Sequence, residues 1–147
     1  MNFSNIKKRI IPSILVNNYH VVKSKCFEDH RIFGNLIQTV ELFYMRQVDE
    51  LIILDIDSSK KKNPLDNRIL NLMTSKSLLP ITYGGGIKTL KDIEKCLKTG
   101  CEKIILSSVL IENIEFLREA VKNFGSQSII VNIDIKKKVD NYEIFNH

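Results

Sequence analysis

Short apolar runs alternate with helical patterns along the chain, and this alternation constrains the fold more than any other feature. The runs that predict strands are Arg9–Val16, Leu51–Leu54, Leu78–Tyr83, Lys103–Leu106 and Ser128–Asp134. The second run is apolar at every position, which is typical of a parallel strand covered on both faces. Parallel neighbours need a crossover between them, usually a helix. The order therefore predicts a parallel α/β sheet.

The segments between the runs carry apolar residues at three- and four-residue steps, which places those residues on one helical face. The first two predicted helices are Leu36–Arg46 and a stretch that includes Ile69–Met73. The third has Thr89 as its N-cap and Asp92 at its third position, and it stops at Gly100. The fourth is capped by Asn113 and stops at Gly125. Two segments interrupt this pattern. The first, Tyr19–Lys23, follows a turn-prone Asn pair and predicts a hairpin-like extension. The second, Lys136–Lys138 with Asp140, predicts a turn before a short run at Tyr142–Phe145.

The predicted strands are roughly 20 to 30 residues apart, which is the pitch of β/α units. No linker or low-complexity stretch divides the chain, so we assign residues 1–147 to one domain. An open doubly wound sheet and part of a (βα)8 TIM barrel both fit this order. A whole barrel takes about 250 residues. The chain therefore matches the N-terminal half of a barrel, with about four βα units and a fifth strand.

Composition excludes several classes of protein. The chain has 44% hydrophobic and 27% charged residues, the balance of a globular domain. Its formal net charge of +5 comes from lysines scattered among acids, which favours anionic ligands and not nucleic acid. No apolar run approaches the ~20 residues that span a membrane, and no secretory signal is evident. Cys26, Cys96 and Cys101 lack a C-x-x-C spacing, so we expect a reducing, cytoplasmic compartment.

Polar residues follow the predicted strands, at the edge where parallel α/β proteins of either kind bind ligands. They are Asp55, Asp57, Gly84–Gly86, Ser107, Ser108 and Asp134. Glycines let a phosphate approach the backbone and paired serines donate hydrogen bonds to it, so a phosphate cradle is predicted. The alternative for the glycines is a tight turn without a ligand. Asp134 is the candidate general acid or base, and its alternative role is to cap a loop amide.

Other polar side chains carry weaker signals. His20, Cys26 and His30 have donor atoms that suit a metal, but no fourth ligand is in register, so neither a metal nor another cofactor is predicted. Lys60–Lys62 and Lys136–Lys138 follow strand ends and would make the ligand edge electropositive.

Several motifs together resemble those of a known family. They are Arg9–Pro12, Val21–Lys23, Asp49–Ile56, Tyr83–Ile87, Glu102–Lys103 with Ser107, Phe124–Gln127 and Ile133–Asp134. In this order and spacing they resemble the HisF family, the cyclase subunit of imidazole glycerol phosphate synthase, from about Lys8 onward. The resemblance implies a (βα)8 barrel enzyme of the lyase type. It receives ammonia from a HisH-like glutaminase and adds it to a phosphorylated, nucleotide-derived substrate in histidine biosynthesis.

The resemblance also implies roles for individual residues. Asp134 matches one of two catalytic aspartates, and Lys23 matches a lysine of the first loop. The positions that match a phosphate site are Gly85, Gly86, Ser107 and Ser108. Three of the four charged residues that gate the ammonia entrance correspond to Arg9, Glu50 and Lys103. Each of these three stands at or just before the start of a predicted strand, so they should meet at the amino edge of the sheet, where the ordinary role of an ion-pair cluster is structural.

The chain departs from the family at two points. The other catalytic aspartate falls on Leu15, which cannot exchange a proton. A Leu here resembles a HisF-like branch found with surface-polysaccharide genes, which amidates a nucleotide-linked sugar with a glutaminase and an amidotransferase. The sequence also stops after the fifth strand, so the second phosphate site and the fourth gate residue have no counterpart.

The leading hypothesis is a HisF-like synthase subunit that uses ammonia from a glutaminase on a phosphorylated sugar or nucleotide derivative. Histidine synthesis and surface-glycan amidation both remain open. The alternative is a catalytically inactive half barrel that binds phosphate and docks a partner. We also expect self-association or a complementing half barrel, because a half barrel leaves strand edges and an apolar inner face uncovered.

Overall fold

The computed structural model describes residues 7–25, 28–60, 65, 67–76, 78–139 and 141–145. The strands in this part of the chain are β1 Ser13–Asn17, β2 His20–Lys25, β3 Glu28–Asn35, β4 Leu51–Asp55, β5 Ile81–Gly84, β6 Lys103–Leu106, β7 Ile129–Val131, β8 Ile135–Lys138 and β9 Asn141–Ile144. The helices are α1 Leu36–Met45, α2 Ile56–Lys60, α3 Asn67–Lys76, α4 Leu90–Thr99, α5 Ser108–Glu112 and α6 Glu115–Phe124. No helix in the described ranges is long and apolar enough to cross a membrane.

The parallel part of the main sheet consists of β1 and β4 to β7, in chain order. The hairpin β2–β3 adds two antiparallel strands beside β1, so the order across the sheet is β3-β2-β1-β4-β5-β6-β7. A doubly wound sheet reverses its strand order at a switch point, and the described strands show no reversal. Because parallel crossovers are right-handed, an unreversed order keeps the helices on one face. The architecture is therefore a partial (βα) barrel.

The core lies between the sheet and its helices. One row across the sheet consists of Ile14, Ile53, Tyr83 and Ile104, all at most 7% exposed. This row belongs to one cluster with buried helix residues, among them Val40, Met73, Ile93 and Phe116. Burying an aliphatic or aromatic side chain of this size contributes about 1.5–3 kcal/mol. The helical periodicity of the sequence therefore serves to cover one face of the sheet.

Local signals set the ends of α4 as the sequence predicts. The Thr89 hydroxyl accepts a hydrogen bond from the backbone N–H of Asp92 at 3.2 Å, and the Asp92 carboxylate accepts one from the backbone N–H of Thr89 at 2.8 Å. This capping box satisfies donors that a helix start leaves unpaired. Gly100 ends the helix with a φ of 111°, a left-handed conformation that favours glycine.

Three predictions on the C-terminal side of the chain are wrong. Asn113 does not cap α6, which begins after Ile114; instead Asn113 ends the short helix α5. Asp134 does not end a strand, because β7 stops at Val131. Lys136–Lys138 form part of β8 rather than a turn. The two-residue period lets β8 pair with β9, and Lys138 reaches Glu143 across the pair at 2.6 Å.

Candidate functional site

A cavity of about 170 Å³ opens at the carboxyl edge of the parallel strands. Its lining comes from the ends of the parallel strands, the loops after them and the hairpin β2–β3: Leu15, Ser24, His30, Leu54, Asp55, Ile56, Gly84, Gly85, Gly86, Ile87, Ile105, Ser107, Ser108, Asn132 and Asp134. Strand β3 and the segment after β7 lie at opposite ends of the sheet. The sheet therefore curves enough to bring both ends to one cavity.

The floor of the cavity is apolar. One row of the sheet in register consists of Leu15, Leu54, Gly84 and Ile105, and all four line the cavity. Side chains alternate between the two faces of a strand, so this row faces away from the helices. Leu15 thus stands inside the cavity, at the position where the resemblance implies a carboxylate.

The glycine loop after β5 is packed directly against the end of β4. Gly85 has a φ of +131°, and a Cβ there would lie 2.2 Å from the carbonyl oxygen of Asp55. Gly86 has a φ of +67°, and its Cβ would lie 2.8 Å from the Cβ of Ser58. Both positions require glycine for conformation and for close approach. The tight turn is therefore real, and it also exposes the backbone of the loop to the cavity.

Asp55 anchors this corner of the site. Its carboxylate accepts hydrogen bonds from the backbone N–H of Asp57 (3.0 Å) and Ser58 (3.2 Å), the hydroxyl of Ser58 (2.7 Å) and the hydroxyl of Tyr83 (3.2 Å). Asp55 is only 2% exposed. Burial, and then the charge of Asp55, raise the pKa of Tyr83 far above its ordinary value. Because donors already surround its oxygens, Asp55 fixes the start of α2 against β5.

The serine pair and Asp134 face the cavity from the far end of the sheet. Ser107 precedes α5, and its side chain makes no capping hydrogen bond to that helix. Asp134 is half-buried, and its carboxylate accepts a hydrogen bond from the side-chain amide of Asn132 at 3.2 Å. Its carbonyl oxygen accepts one from the backbone N–H of Phe145 at 2.8 Å. The residue that follows β9 thus holds the backbone of Asp134 in place.

Lys23 lies outside the cavity. It is exposed on β2, and its Nζ stands 6.0 Å from the centre of the Phe33 ring. On the C-terminal side, Lys136 similarly stands over Phe145 at 5.4 Å. Cation–π contacts at exposed sites contribute about 0.5–1 kcal/mol. Of the other predicted lysine run, Lys61 and Lys62 lie outside the described residues.

The three charged residues predicted at the amino edge of the sheet do meet. Glu50 is 2% exposed and accepts hydrogen bonds from Lys103 Nζ at 2.7 Å and from Arg9 Nη2 at 3.0 Å. The Thr82 hydroxyl also donates to its carboxylate. Burial raises the pKa of Glu50, but hydrogen bonds from Lys103 and Thr82 and the charges of Lys103 and Arg9 outweigh it, so the pKa is lowered. Glu50 is therefore a buried carboxylate held by two cations.

Sequence reasoning missed the buried partners of both acidic groups. Tyr83 and Thr82 are neighbours on β5, and alternation sends Tyr83 to Asp55 and Thr82 to Glu50. Only their polar atoms within an apolar run could have signalled these roles. Of the residues weighed as metal donors, His30 lines the cavity, whereas His20 bonds the carbonyl of Asn18 through its Nδ1 at 2.8 Å. Cys26, the third of these donors, lies outside the described residues.

Comparison with known proteins agrees with the motifs. The sequence profile of a family described as "Histidine biosynthesis protein" matches residues 9–147. A Campylobacter jejuni protein, provisionally named imidazole glycerol phosphate synthase subunit hisF2, is 43% identical over 141 residues. The match covers 96% of this chain and 56% of the length of that protein. A similarly named Leptospira interrogans HisF is 38% identical, covering 97% of this chain and 57% of its own. Imidazole glycerol phosphate synthase subunit HisF of an Exiguobacterium strain is 34% identical, and the match covers 97% of this chain and 56% of the relative's length. The chain thus spans a little over half the length of these relatives.

Proposed function

Because this chain belongs to the HisF family of histidine biosynthesis proteins, we propose that it is the cyclase-type subunit of a glutamine-dependent synthase. In this function, ammonia released by a HisH-like glutaminase reacts with a phosphorylated sugar- or nucleotide-derived substrate. The substrate occupies the cavity at the carboxyl edge of the sheet, and the glutaminase docks at the amino edge.

The observation that carries this proposal is the placement of two polar clusters at opposite edges of one curved sheet. The cavity holds the glycine loop, two serines and a carboxylate, which suits an anionic substrate. The cluster around Glu50 lies at the start of the same strands. A route for ammonia through the barrel would need to connect these two edges.

At the amino edge, Arg9, Glu50 and Lys103 are proposed to form the ammonia gate. Each has an ion-pair partner in the cluster, so opening a passage requires one of the two pairs to separate. The pair with Arg9 is the more accessible, because the Arg9 side chain is 49% exposed and that of Lys103 is 21% exposed. Arg9 is therefore the gate residue that a docked glutaminase would contact most readily.

At the carboxyl edge, Gly85, Gly86, Ser107 and Ser108 are proposed to bind a phosphate of the substrate, and Asp134 to act as the acid or base. The backbone of the glycine loop and the serine hydroxyls line the same cavity. Lys23 is the second proposed catalytic residue. It lies on the hairpin that supplies one wall of the cavity, and it would reach the substrate by turning away from Phe33.

The phosphate site is tested by titration calorimetry with inorganic phosphate and with ribulose 5-phosphate. The double substitution Ser107→Ala, Ser108→Ala removes two hydroxyl donors, so we expect both ligands to bind at least about tenfold more weakly. Ser126→Ala is the matched control, because Ser126 is exposed and does not line the cavity. Unchanged affinities in the double variant would remove the serines from the site.

A second candidate function is phosphate binding without turnover, and Leu15 is the observation that favours it. Its side chain lines the cavity but has no ionisable group. General acid or base groups contribute about 10²–10⁴-fold each. We expect negligible ammonia-dependent cyclase turnover with Leu15 in a barrel completed by the second half of a HisF relative, and partial recovery in Leu15→Asp. Turnover absent from both forms while phosphosugar binding persists would favour the binding function.

The same variant bears on the pathway. Robust cyclase turnover with Leu15 intact would argue for histidine synthesis and against surface-glycan amidation. Recovery only in Leu15→Asp would favour a substrate other than that of the histidine enzyme, because the cavity would then lack a group that the cyclase reaction needs. We propose the surface-glycan branch as the pathway in that case.

A further inference from the structure

We propose that Asn132 is a positioning residue whose side-chain amide holds the carboxylate of Asp134 in the orientation that binds the sugar hydroxyls of the substrate. This inference rests on the function proposed above, in which Asp134 contacts the substrate. It adds the residue through which the fold orients that carboxylate. Asn132 lies just before the Ile133–Asp134 motif and belongs to none of the motifs that carry the family resemblance.

The contact between the two side chains lies in the wall of the cavity. Asn132 and Asp134 both line the cavity, and both are half-buried. The Nδ2 atom of Asn132 donates a hydrogen bond to Oδ1 of Asp134 at 3.2 Å, and this bond is only partly buried. The two residues are two positions apart, the spacing that puts side chains on one side of an extended chain. The amide–carboxylate pair therefore belongs to the surface of the cavity and is not sealed beneath it.

The backbone on either side of the pair is held by hydrogen bonds. The N–H of Asn132 donates to the carbonyl oxygen of Leu106 on β6 at 2.9 Å. The carbonyl oxygen of Asp134 accepts from the N–H of Phe145 at 2.8 Å. These bonds fix the main chain, but they do not set the direction of the Asp134 side chain. The amide of Asn132 adds that constraint, because a directional donor on one carboxylate oxygen restricts the rotation of the whole group.

Asn132 also connects Asp134 to the proposed phosphate site. Leu106, whose carbonyl accepts the N–H of Asn132, directly precedes Ser107. A ligand whose phosphate lies at Ser107 and Ser108 therefore places its next atoms near the strand end that carries Asn132. An ionised carboxylate has about four acceptor sites, so it can bind an amide and a sugar hydroxyl at the same time. The polyol chain of a sugar phosphate supplies such hydroxyls.

The experiment measures by titration calorimetry how the chain binds ribulose 5-phosphate and inorganic phosphate. Asn132→Leu removes the amide at nearly constant size. We expect it to bind ribulose 5-phosphate about fivefold more weakly and inorganic phosphate with unchanged affinity. Asn132→Gln keeps a donor amide and should retain most of the affinity for ribulose 5-phosphate. Asn123→Leu is the matched control, because Asn123 is exposed, its amide bonds the carbonyl of Glu119, and it does not line the cavity.

A double-mutant cycle separates positioning from a general effect on the cavity wall. Asp134→Ala by itself should weaken the binding of ribulose 5-phosphate, because it removes the carboxylate. If Asn132 acts through that carboxylate, Asn132→Leu has no further effect in the Asp134→Ala background. An equal loss in both backgrounds, or a loss shared by both ligands, would show that Asn132 only supports the wall and would overturn the inference. An unchanged affinity in Asn132→Leu would overturn it as well.

The remaining outcomes separate this inference from the proposed function. If Asp134→Ala binds ribulose 5-phosphate as the unchanged chain does, Asp134 has no contact with the sugar, and the inference is overturned while the phosphate site stands. If the cycle shows the coupling but the serine variant binds both ligands normally, the inference stands and the proposed phosphate site fails. If the unchanged chain binds neither ligand, both proposals fail.

Discussion

Replacing Lys103 by Met should destabilise the fold because it leaves Glu50 buried with one cation fewer. Lys103 Nζ is the closer of the two cations, at 2.7 Å against 3.0 Å for Arg9. Removing one partner of a fully buried ion pair costs about 3–5 kcal/mol. Here Arg9 and Thr82 remain, and the side chain of Lys103 is itself 21% exposed. We therefore expect the free energy of unfolding to fall by about 2–3 kcal/mol at neutral pH.

Lys98→Met is the matched control. Lys98 pairs with Glu94 at 2.6 Å, which is at least as close as the pair of Lys103 with Glu50. The two side chains of the control pair are 74% and 50% exposed. Exposed pairs one helical turn apart contribute about 0.3–0.5 kcal/mol. The comparison keeps the substitution the same and the N–O distance nearly the same, and the two pairs differ mainly in how deeply they are buried.

The difference in free energy of unfolding between Lys103→Met and the unchanged chain should depend on pH through the pKa of Glu50. Hydrogen bonds and nearby cations lower this pKa below 4.5 in the folded protein, against the opposing effect of burial. A carboxylate with a lowered folded-state pKa stabilises the fold above its unfolded-state pKa, and that stabilisation is lost as the pH falls through the folded-state pKa. The free energy of unfolding lost in Lys103→Met should therefore be largest at neutral pH and shrink below about pH 4.5.

Urea unfolding followed by circular dichroism, at neutral pH and at several acidic values, measures these differences. The reasoning is refuted if Lys103→Met costs no more than Lys98→Met at neutral pH. It is also refuted if the cost of Lys103→Met stays constant as the pH is lowered through the range in which Glu50 becomes protonated.

Three further outcomes are expected. Gly85→Ala should lower the free energy of unfolding by about 2–4 kcal/mol, because the new Cβ meets the backbone of Asp55 at a positive φ. In the same unfolding assay, the control Gly34→Ala should change it by less than about 1 kcal/mol, because its nearest new contact is 3.6 Å away. Burial raises the pKa of the Cys101 thiol to about 12, so a disulfide reagent should modify it only after denaturation; rapid labelling of the folded chain would contradict this. The chain should sediment as an oligomer and bind a hydrophobic dye. Among the described strands β7 is paired on one edge only, and Val131, Ile133 and Ile135 are exposed. A compact monomer that binds no dye would count against self-association.

The sequence determined the parallel strands, most of the helices and the edge of the sheet that carries the site. Apolar periodicity and capping act over a few residues, so Thr89, Asp92 and Gly100 define α4 without help from distant parts of the chain. The carboxyl ends of parallel strands share one edge, which is why the sequence alone suffices to place Gly85, Ser107 and Asp134 together.

Contacts between distant segments were decided only by the tertiary structure. Curvature of the sheet brings His30 from one end and Asp134 from the other to one cavity, although 104 positions separate them in number. Alternation along β5 assigns Tyr83 and Thr82 to different carboxylates, which the sequence of an apolar run does not reveal. Pairing with β9 likewise overrides the turn expected at Lys136–Lys138. Periodicity is a local property, whereas a cavity, a buried ion pair and a strand partner each depend on which segments meet in space.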